Sequence, residues 1–203
     1  MALRQDARRN RERILSGARE LFASGGVDAP VDEITRHAGV GMGTLYRHFP
    51  TKDDLVDAVL EEAFDAYVAL AEEAVAAADA STAFTTFLER VLELHAGNRG
   101  LMQVIASSER GRERAQATRE RVQPLVRRLV ERAQSAGGLR ADLTAEDVPV
   151  LFRALGRIIE LTDEGPPDLW RRYLSLLLDG LRPGAATPLP VPPLTAAQVA
   201  ALR

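Results

Sequence analysis

The chain has 203 residues, enough for one large domain or two modest ones, and its composition is that of an ordinary globular protein. Hydrophobic residues make up 46% and aromatic residues only 5%, and the abundance of alanine and leucine favours helices over strands. The absence of cysteine excludes disulfides, thiolate chemistry and cysteine-based zinc sites. No apolar run approaches the length that spans a bilayer, and the N-terminus has no apolar signal segment, so we expect a cytoplasmic protein.

Charge is distributed unevenly along the chain. Residues 1–52 hold nine Lys or Arg and six Asp or Glu, which gives a net charge of +3, whereas residues 53–203 carry −6. The overall net charge of −3 therefore hides a basic N-terminal segment. This division indicates an anionic partner for the N-terminal segment alone.

Hydrophobic periodicity predicts about nine helices and no strand, so the expected fold class is all-α. In chain order, the helices are predicted over about 6–24, 31–38, 41–48, 52–78, 82–97, 101–106, 110–135, 144–162 and 168–181. Thr51 is placed as an N-cap residue, and Thr144 with Asp147 resembles a capping box. Residues 183–203 are rich in proline and are expected to form a mobile tail.

Residues 31–49, VDEITRHAGVGMGTLYRHF, read as a helix, a tight turn at Gly39 and a second helix, which is helix-turn-helix geometry. The second helix of such a unit lies in the major groove of DNA, with its flanks on phosphates. Lys52 adds a positive charge at the start of the next helix, and Arg47 can pair with guanine or phosphate. The outward residues of the second helix are Met42, Gly43, Thr44, Tyr46, Arg47 and His48.

The stretch AGVGMGTLYRHFPTKDDLVDAV, residues 38–59, resembles the tetracycline-repressor (TetR/AcrR) family of bacterial transcription regulators, as does ILSGARELFASGGVDAPVDEI upstream. The resemblance implies a homodimer with a three-helix DNA-binding domain over 1–53 and a helical effector-binding and dimerisation domain over 54–182. The DNA contacts that it implies are Met42, Gly43, Thr44, Tyr46, Arg47, His48 and Lys52. Family members often begin the second helix with a threonine that caps the helix and contacts a phosphate, but Ala29-Pro30-Val31 offers no hydroxyl group here.

The helices predicted over 144–162 and 168–181 carry more large apolar side chains than one small body can cover. Two such helices per protomer predict a four-helix interface in a symmetric dimer, an arrangement that the family shares. The predicted interface residues are Phe152, Leu155, Ile159, Trp170, Tyr173, Leu174, Leu177 and Leu178.

The resemblance also implies a pocket among the C-terminal helices for a small hydrophobic effector. Its polar groups would be Tyr67 and His95. The inward-facing candidates are Phe64, Tyr67, Phe84, Leu88, Leu92, His95, Met102, Ile105, Val126 and Leu155. The alternative is that these residues fill the core and leave a regulator without a pocket. The Arg- and Glu-rich run over 107–123 is most simply interpreted as a solvated helix face.

The helix-turn-helix predicts sequence-specific DNA binding, and the family resemblance implies a regulator that an effector releases from a palindromic operator. Repression is what the family resemblance favours. The alternative is a helical adaptor that binds protein instead of DNA. Catalysis is not expected, because adjacent carboxylates such as Glu72 and Glu73 diverge by about 100° on a helix and form no facing pair. Neither a cofactor, nor a metal, nor a membrane partner is expected.

Overall fold

The computed structural model describes residues 2–98, 105, 109–161, 166, 168–185 and 187–201. These residues form nine α-helices and one short 3-10 helix, with no strand among them, so the predicted all-α fold is confirmed. The predicted helix over 101–106 lies outside the described residues, except for Ile105, which is helical. None of the described helices is long and apolar enough to cross a membrane. The helices are α1 (Ala2–Gly25), α2 (Val31–Ala38), α3 (Met42–His48), α4 (Lys52–Ala76), α5 (Ala80–Ala96), α6 (Glu109–Ser135), α7 (Asp147–Leu161), α8 (Trp170–Gly180) and α9 (Ala196–Ala201).

The chain divides into two compact units. The first comprises residues 1–65 and 97–115, and the second comprises residues 66–96 and 116–203. The helices α4 and α6 each contribute residues to both units. The domain boundaries predicted at residues 53 and 182 stay predictions.

The first unit is built around α1, which packs against α2 and α3. The buried side chains of α1 recur at helical spacing and meet apolar residues of the three helices that follow. Members of this core that are completely shielded from solvent are Ile14, Leu15, Ala18, Phe22, Ile34, Leu45 and Leu55.

The turn between α2 and α3 depends on a left-handed glycine. Gly39 has φ 64° and ψ 38°, a conformation that residues with a Cβ rarely adopt. Its amide donates to the carbonyl of Arg36 at 3.3 Å, and the amide of Val40 donates to the carbonyl of Thr35 at 3.0 Å. These bonds use carbonyls that the end of α2 would otherwise leave without partners, so the direction in which α3 departs is fixed.

The helix α4 begins with the N-cap that the sequence predicts. The hydroxyl of Thr51 accepts a hydrogen bond from the amide of Asp54 at 3.1 Å, and the Asp54 carboxylate accepts from the amide of Thr51 at 2.9 Å. Thr144 makes the equivalent amide bond to the Asp147 carboxylate at 2.8 Å before α7. An aspartate thus takes the place of the usual Glu or Gln in both capping boxes.

In the second unit, the core is formed by α4, α5, α6, α7 and α8. Three aromatic rings meet within it: Tyr67 stacks on Phe87 at 6.2 Å between centroids, and Phe152 contacts both rings edge-on. Arg132 on α6 donates to the backbone carbonyls of Val75 and Ala77, which lie at the end of α4 and just beyond it.

Residues that follow α8 make defined contacts with the rest of the second unit. Buried Arg140 donates to the carboxylate of Asp142 at 2.5 Å and to the carbonyl of Thr187 at 2.6 Å. The amide of Leu189 donates to the same carboxylate at 3.3 Å, and Val199 of α9 is buried. The mobility expected of the proline-rich tail stays a prediction, but the contacts at its beginning and in α9 were not predicted.

Candidate functional site

The helix α3 has one buried and one exposed face. Leu45 is completely buried and Phe49, one helical turn later, is 3% exposed, so both hold α3 on the core of the first unit. Met42 and Tyr46, also one turn apart, are 42% and 45% exposed. The structure therefore places the thioether of Met42 and the phenol of Tyr46 on the face that points away from the core.

The beginning of α3 has little side-chain cover. A Cβ added at Gly41 or at Gly43 would meet nothing within 4 Å, so internal packing does not require glycine at either position. Gly41 is the N-cap residue and no acidic residue lies in the first turn. The absence of side chains here leaves the backbone open to close approach by a large partner.

Positive charge lies at the other end of α3. Arg47 is exposed and His48 is half-buried in its last turn, and half-buried Lys52 is the first residue of α4. In the described part of the chain, neither Arg47 nor Lys52 takes part in a salt bridge, whereas Arg36 on α2 pairs with Asp32 at 3.3 Å. The two cations near α3 are therefore available to an external anion.

Arg11 of α1 adds a cation that was not among the residues predicted from the sequence. Its guanidinium carbon lies 5.5 Å from the centroid of the Phe49 ring, directly after the end of α3. Arg11 is exposed, but its position three and four residues before buried Ile14 and Leu15 places it next to the core-facing side of α1, which was the signal in the sequence.

The N-terminus of α2 lacks a side-chain cap, as its sequence indicates. Its N-cap residue is Pro30, in an extended conformation, and no side-chain hydrogen bond caps the helix. Asp32 and Glu33 lie in the first turn and complement the positive end of the helix dipole.

The predicted dimer-interface residues separate into two groups. Leu155, Ile159, Trp170 and Leu174 are at most 4% exposed and belong to the core of the second unit, and Phe152, Leu177 and Leu178 are half-buried against that core. Only Tyr173, at 39%, is among the exposed large side chains. The same two helices also expose large apolar residues that the sequence analysis did not name: Val150, Leu161 and Leu176.

The predicted effector residues are likewise dispersed. Phe84, Leu88, Leu92 and Leu155 are buried in the core of the second unit, and His95 is half-buried against Gly156. Phe64 and Ile105 pack against the core of the first unit, and Met102 lies outside the described residues. Two of the predicted effector residues, Tyr67 and Val126, line a cavity in the second unit.

The second unit contains a cavity of about 220 Å³. Its polar lining comes from Tyr67 on α4 and from Gln116, Arg119, Glu120 and Gln123 on α6. Apolar residues of α6, α7 and α9, together with Ala145 just before α7, complete the lining, and Val199 is contributed by α9. A helix from the far end of the chain therefore forms part of the cavity wall.

The run over 107–123 is not uniformly a solvated face. Thr118 and Val122 are buried, and Arg119 is half-buried at the cavity. The missed signal is the four-residue spacing that continues from Thr118 through Val122 and Val126, which marks the inward side of α6.

Both parts of the chain are similar to known protein families. Residues 14–59 match the bacterial regulatory proteins of the tetR family, and residues 79–183 match the C-terminal domain of SbtR-like transcriptional regulators. A helix-turn-helix-type transcriptional regulator of Staphylococcus aureus, strain USA300, is 42% identical over 67 residues. This match spans 32% of the chain and only 36% of the length of that curated relative.

Solved structures resemble nearly the whole chain. The TetR transcription regulatory protein from Mycobacterium vanbaalenii is 34% identical with a TM-score of 0.69, over 89% of this chain and 99% of that one. A TetR transcriptional regulator from Streptomyces coelicolor is 27% identical with a TM-score of 0.65, over 85% and 98%. The match to the C-terminal domain extends over half of the chain, and the 34% identical relative is covered almost completely. The chain therefore belongs to the TetR family of transcriptional regulators.

Proposed function

We propose that the protein is a homodimeric regulator that binds a palindromic DNA operator through α3 and represses transcription until a small effector releases it. The observation that carries DNA binding is the orientation of α3, with Leu45 in the core and Tyr46 and Arg47 exposed on the outer side. In a helix-turn-helix unit, this is the helix that enters the major groove.

The exposed groups of α3 have the chemistry that DNA recognition uses. The hydroxyls of Thr44 and Tyr46 and the ring nitrogen of His48 can donate to phosphate oxygens, which positions the helix without reading sequence. Arg47 can bond two acceptors of a guanine and so read a base, while Lys52 adds a charge at the start of α4. The open backbone at Gly43 allows α3 to approach the base edges closely.

Dimerisation is proposed through α7 and α8. Val150 and Leu161 on α7 and Tyr173 and Leu176 on α8 expose apolar surface that the protomer itself does not cover. A second copy offers the same surface, so a two-fold axis would bury both sets at once. Such a dimer holds two recognition helices about 34–36 Å apart, which matches successive major grooves on one side of the duplex.

The cavity of the second unit is the candidate effector site. Effector binding changes DNA affinity only if the effector prefers one conformation of the dimer over the other. We propose α4 as the element that transmits this preference, because it contributes residues both to the first unit and, at Tyr67, to the cavity lining. We propose that effector binding lowers the affinity for DNA. The protein then represses transcription in the absence of effector.

The experiment is a selection of bound duplexes from a random-sequence library, followed by fluorescence anisotropy on the best duplex and on a scrambled one. We expect a palindromic site with half-sites one helical turn apart. If each protomer neutralises about four phosphates, log K should fall against log salt concentration with a slope of about −7. A protein that enriches no sequence and shows no salt-dependent binding would instead favour the helical adaptor.

A further inference from the structure

One of the side chains that line the cavity of the second unit, Arg119, has a buried donor without a partner. The Nε atom of Arg119 is shielded from solvent and has no hydrogen-bond acceptor among the described residues. Two neighbouring amides are already engaged, because Gln116 donates to Glu120 at 2.9 Å and Gln123 donates to Glu146 at 3.3 Å. A buried N–H group that lacks an acceptor destabilises a protein unless a ligand or an ordered water supplies one.

The charges around Arg119 favour an anion. Burial has the largest effect on the pKa of the Arg119 guanidinium and lowers it, and the positive charge of Arg153 lowers it further. Tyr67 and Glu120 act in the opposite direction. Glu120 is exposed and accepts the hydrogen bond from Gln116. Because arginine stays protonated at any physiological pH, an anion beside Arg119 would reduce its repulsion with Arg153.

Tyr67 provides a second donor at the same cavity. Burial raises the pKa of its phenol to about 12, against the opposing effect of Arg119. The hydroxyl therefore stays neutral and can donate a hydrogen bond to an anion. Its ring is held in place by Phe87 and Phe152, so the position of the hydroxyl is constrained.

The remaining surface of the cavity is apolar and small. Val122 and Val126 of α6, Val148 of α7 and Val199 of α9 contribute to the lining. The volume of the cavity, about 220 Å³, suits a compact ligand. Val199 lies beyond residues 79–183, the segment that matches the SbtR-like C-terminal domain.

From this geometry we infer that the cavity binds a compact organic anion with a single carboxylate group. The carboxylate accepts hydrogen bonds from the Arg119 guanidinium and the Tyr67 hydroxyl, and the hydrocarbon part packs against the valines. A guanidinium presents parallel pairs of N–H groups, which match the two oxygens of a carboxylate. That the cavity is an effector site rests on the proposed function. That the cavity binds a carboxylate rests on the cavity alone.

The test is isothermal titration of the full-length protein, without DNA, with three compact carboxylates: benzoate, cyclohexanecarboxylate and isovalerate. Each is compared with its own primary amide, which has almost the same shape and no charge. We expect at least one carboxylate to bind about tenfold or more tightly than its amide, because hydrogen bonds to charged groups are stronger than neutral ones. Arg119→Gln should remove this preference, whereas Arg128→Gln, at an exposed position of the same helix, should retain it.

Two further variants keep the test decisive if Arg119→Gln does not fold. Arg119→Lys keeps the charge but removes the paired N–H groups, so it should lose most of the preference for carboxylates. Val199→Phe reduces the volume of the cavity from α9 and should weaken carboxylate and amide together. Circular dichroism melts of each variant report whether the fold is retained.

The outcomes separate the binding site from the proposed function. The inference is overturned if no carboxylate binds better than its amide, or if the preference survives both substitutions of Arg119. Operator binding is measured separately on the same proteins, so its absence in the wild type refutes the proposed function without affecting the titrations. A carboxylate that binds through Arg119 but leaves operator affinity unchanged establishes the site and refutes its role as an effector site.

Discussion

The imidazole of His95 on α5 lies directly against Gly156 on α7. A Cβ added at position 156 would come within 2.8 Å of Cε1 and 3.2 Å of Nε2 of His95. Atoms at these separations repel one another, so glycine is what permits α5 and α7 to approach this closely. Nε2 of His95 is also buried, with no hydrogen-bond partner in the described part of the chain.

Gly156→Ala should therefore destabilise the protein by about 1–3 kcal/mol, the usual cost of overfilling a packed site. This direction is opposite to the intrinsic preference of helices, which favours alanine over glycine by about 1 kcal/mol. Urea unfolding followed by circular dichroism measures the change. In a His95→Ala background the contact is gone, and the same substitution should become stabilising.

Gly43→Ala is the matched control, since Gly43 is also helical and a Cβ there would meet nothing within 4 Å. It should leave the free energy of unfolding unchanged or raise it. Equal effects of Gly156→Ala in the presence and absence of His95 would show that the contact is not what requires glycine.

The environment of His95 also predicts a dependence of stability on pH. Burial lowers the pKa of His95 below its ordinary value of 6.5, although the nearby Glu160 opposes this. Below pH 6.5 the unfolded chain therefore binds the proton more readily than the folded chain, and stability decreases as the pH falls through this range. Urea unfolding of wild type and His95→Ala at several pH values should show a shallower decrease for the variant. If stability falls with pH in parallel for wild type and variant, the pH dependence comes from other groups.

The proposed DNA contacts predict two classes of variant. Tyr46→Ala and Lys52→Ala should weaken binding to operator and scrambled duplexes alike, because phosphate contacts carry no sequence information. Arg47→Ala should in addition reduce discrimination by about 1–3 kcal/mol for each base pair that it reads. Fluorescence anisotropy on both duplexes measures these changes, and loss of the Lys52 charge should also make the salt slope shallower.

Arg128→Ala serves as the control for these measurements, because it removes an exposed arginine on α6 and leaves the first unit unchanged. Tyr46, Arg47 and Lys52 are exposed or half-buried, so their substitutions should alter folding stability by no more than about 0.5 kcal/mol. Unchanged operator binding by a variant that carries all three alanine substitutions would refute the assignment of α3 as the recognition helix.

The helix-turn-helix could be predicted from the sequence because each of its features is local. The left-handed turn needs glycine, as at Gly39, and the core needs apolar residues at helical spacing, as at Ile34 and Leu45. Such constraints act within a few residues, so a single sequence displays them. The same reasoning holds for the cap formed by Thr51 and Asp54.

The outward face of α8 could not be predicted in this way. Leu176, Leu177 and Leu178 are consecutive, so apolar side chains point in several directions and the periodicity does not identify the inward one. The cavity was equally inaccessible, because it depends on the volumes of side chains from α4, α6, α7 and α9 that are distant in sequence. Arg119 belongs to such a lining although it lies in a run that is rich in arginine and glutamate.

The exposed apolar residues of α7 and α8 indicate how the proposed dimer can be disrupted. Leu161 and Leu176 are 69% and 59% exposed, so Leu161→Glu with Leu176→Glu should leave the core of the protomer intact and produce folded monomers. Monomers bind one half-site only, so operator affinity should fall steeply. Sedimentation equilibrium and circular dichroism report the two properties independently.

Two control substitutions distinguish disruption of the dimer from unfolding and from a general effect of the added charge. Val191→Glu places the same charge at a position that is 70% exposed in the C-terminal tail, and it should remain dimeric. Leu174→Glu places the charge in the core of the second unit, where the side chain is 3% exposed, and it should unfold the protein. A wild type that is monomeric at micromolar concentration would contradict the proposed homodimer.

The carboxylate of Asp142 connects Arg140 to the chain beyond α8. The hydrogen bond from Arg140 lowers the pKa of Asp142 from 3.8 to about 2, and the amide of Leu189 contributes to the same effect. The folded-state pKa is below the unfolded one, so the stabilisation is complete above about pH 4 and is lost as the pH falls towards 2. A carbon-detected NMR titration should place the carboxyl of Asp142 below the ordinary aspartate range.

Asp142→Ala removes the acceptor of the Leu189 amide and leaves Arg140 bonded to the carbonyls of Gly180 and Thr187. We expect faster hydrogen exchange at Leu189, because its amide loses this carboxylate partner and gains access to water. Asp179→Ala removes a carboxylate that pairs with Arg182 at 3.4 Å, where both side chains are largely exposed, so it should leave that exchange unchanged. If hydrogen exchange at Leu189 is insensitive to both substitutions, the carboxylate of Asp142 does not hold this segment. An amide that is protected by a hydrogen bond exchanges faster when that bond is removed.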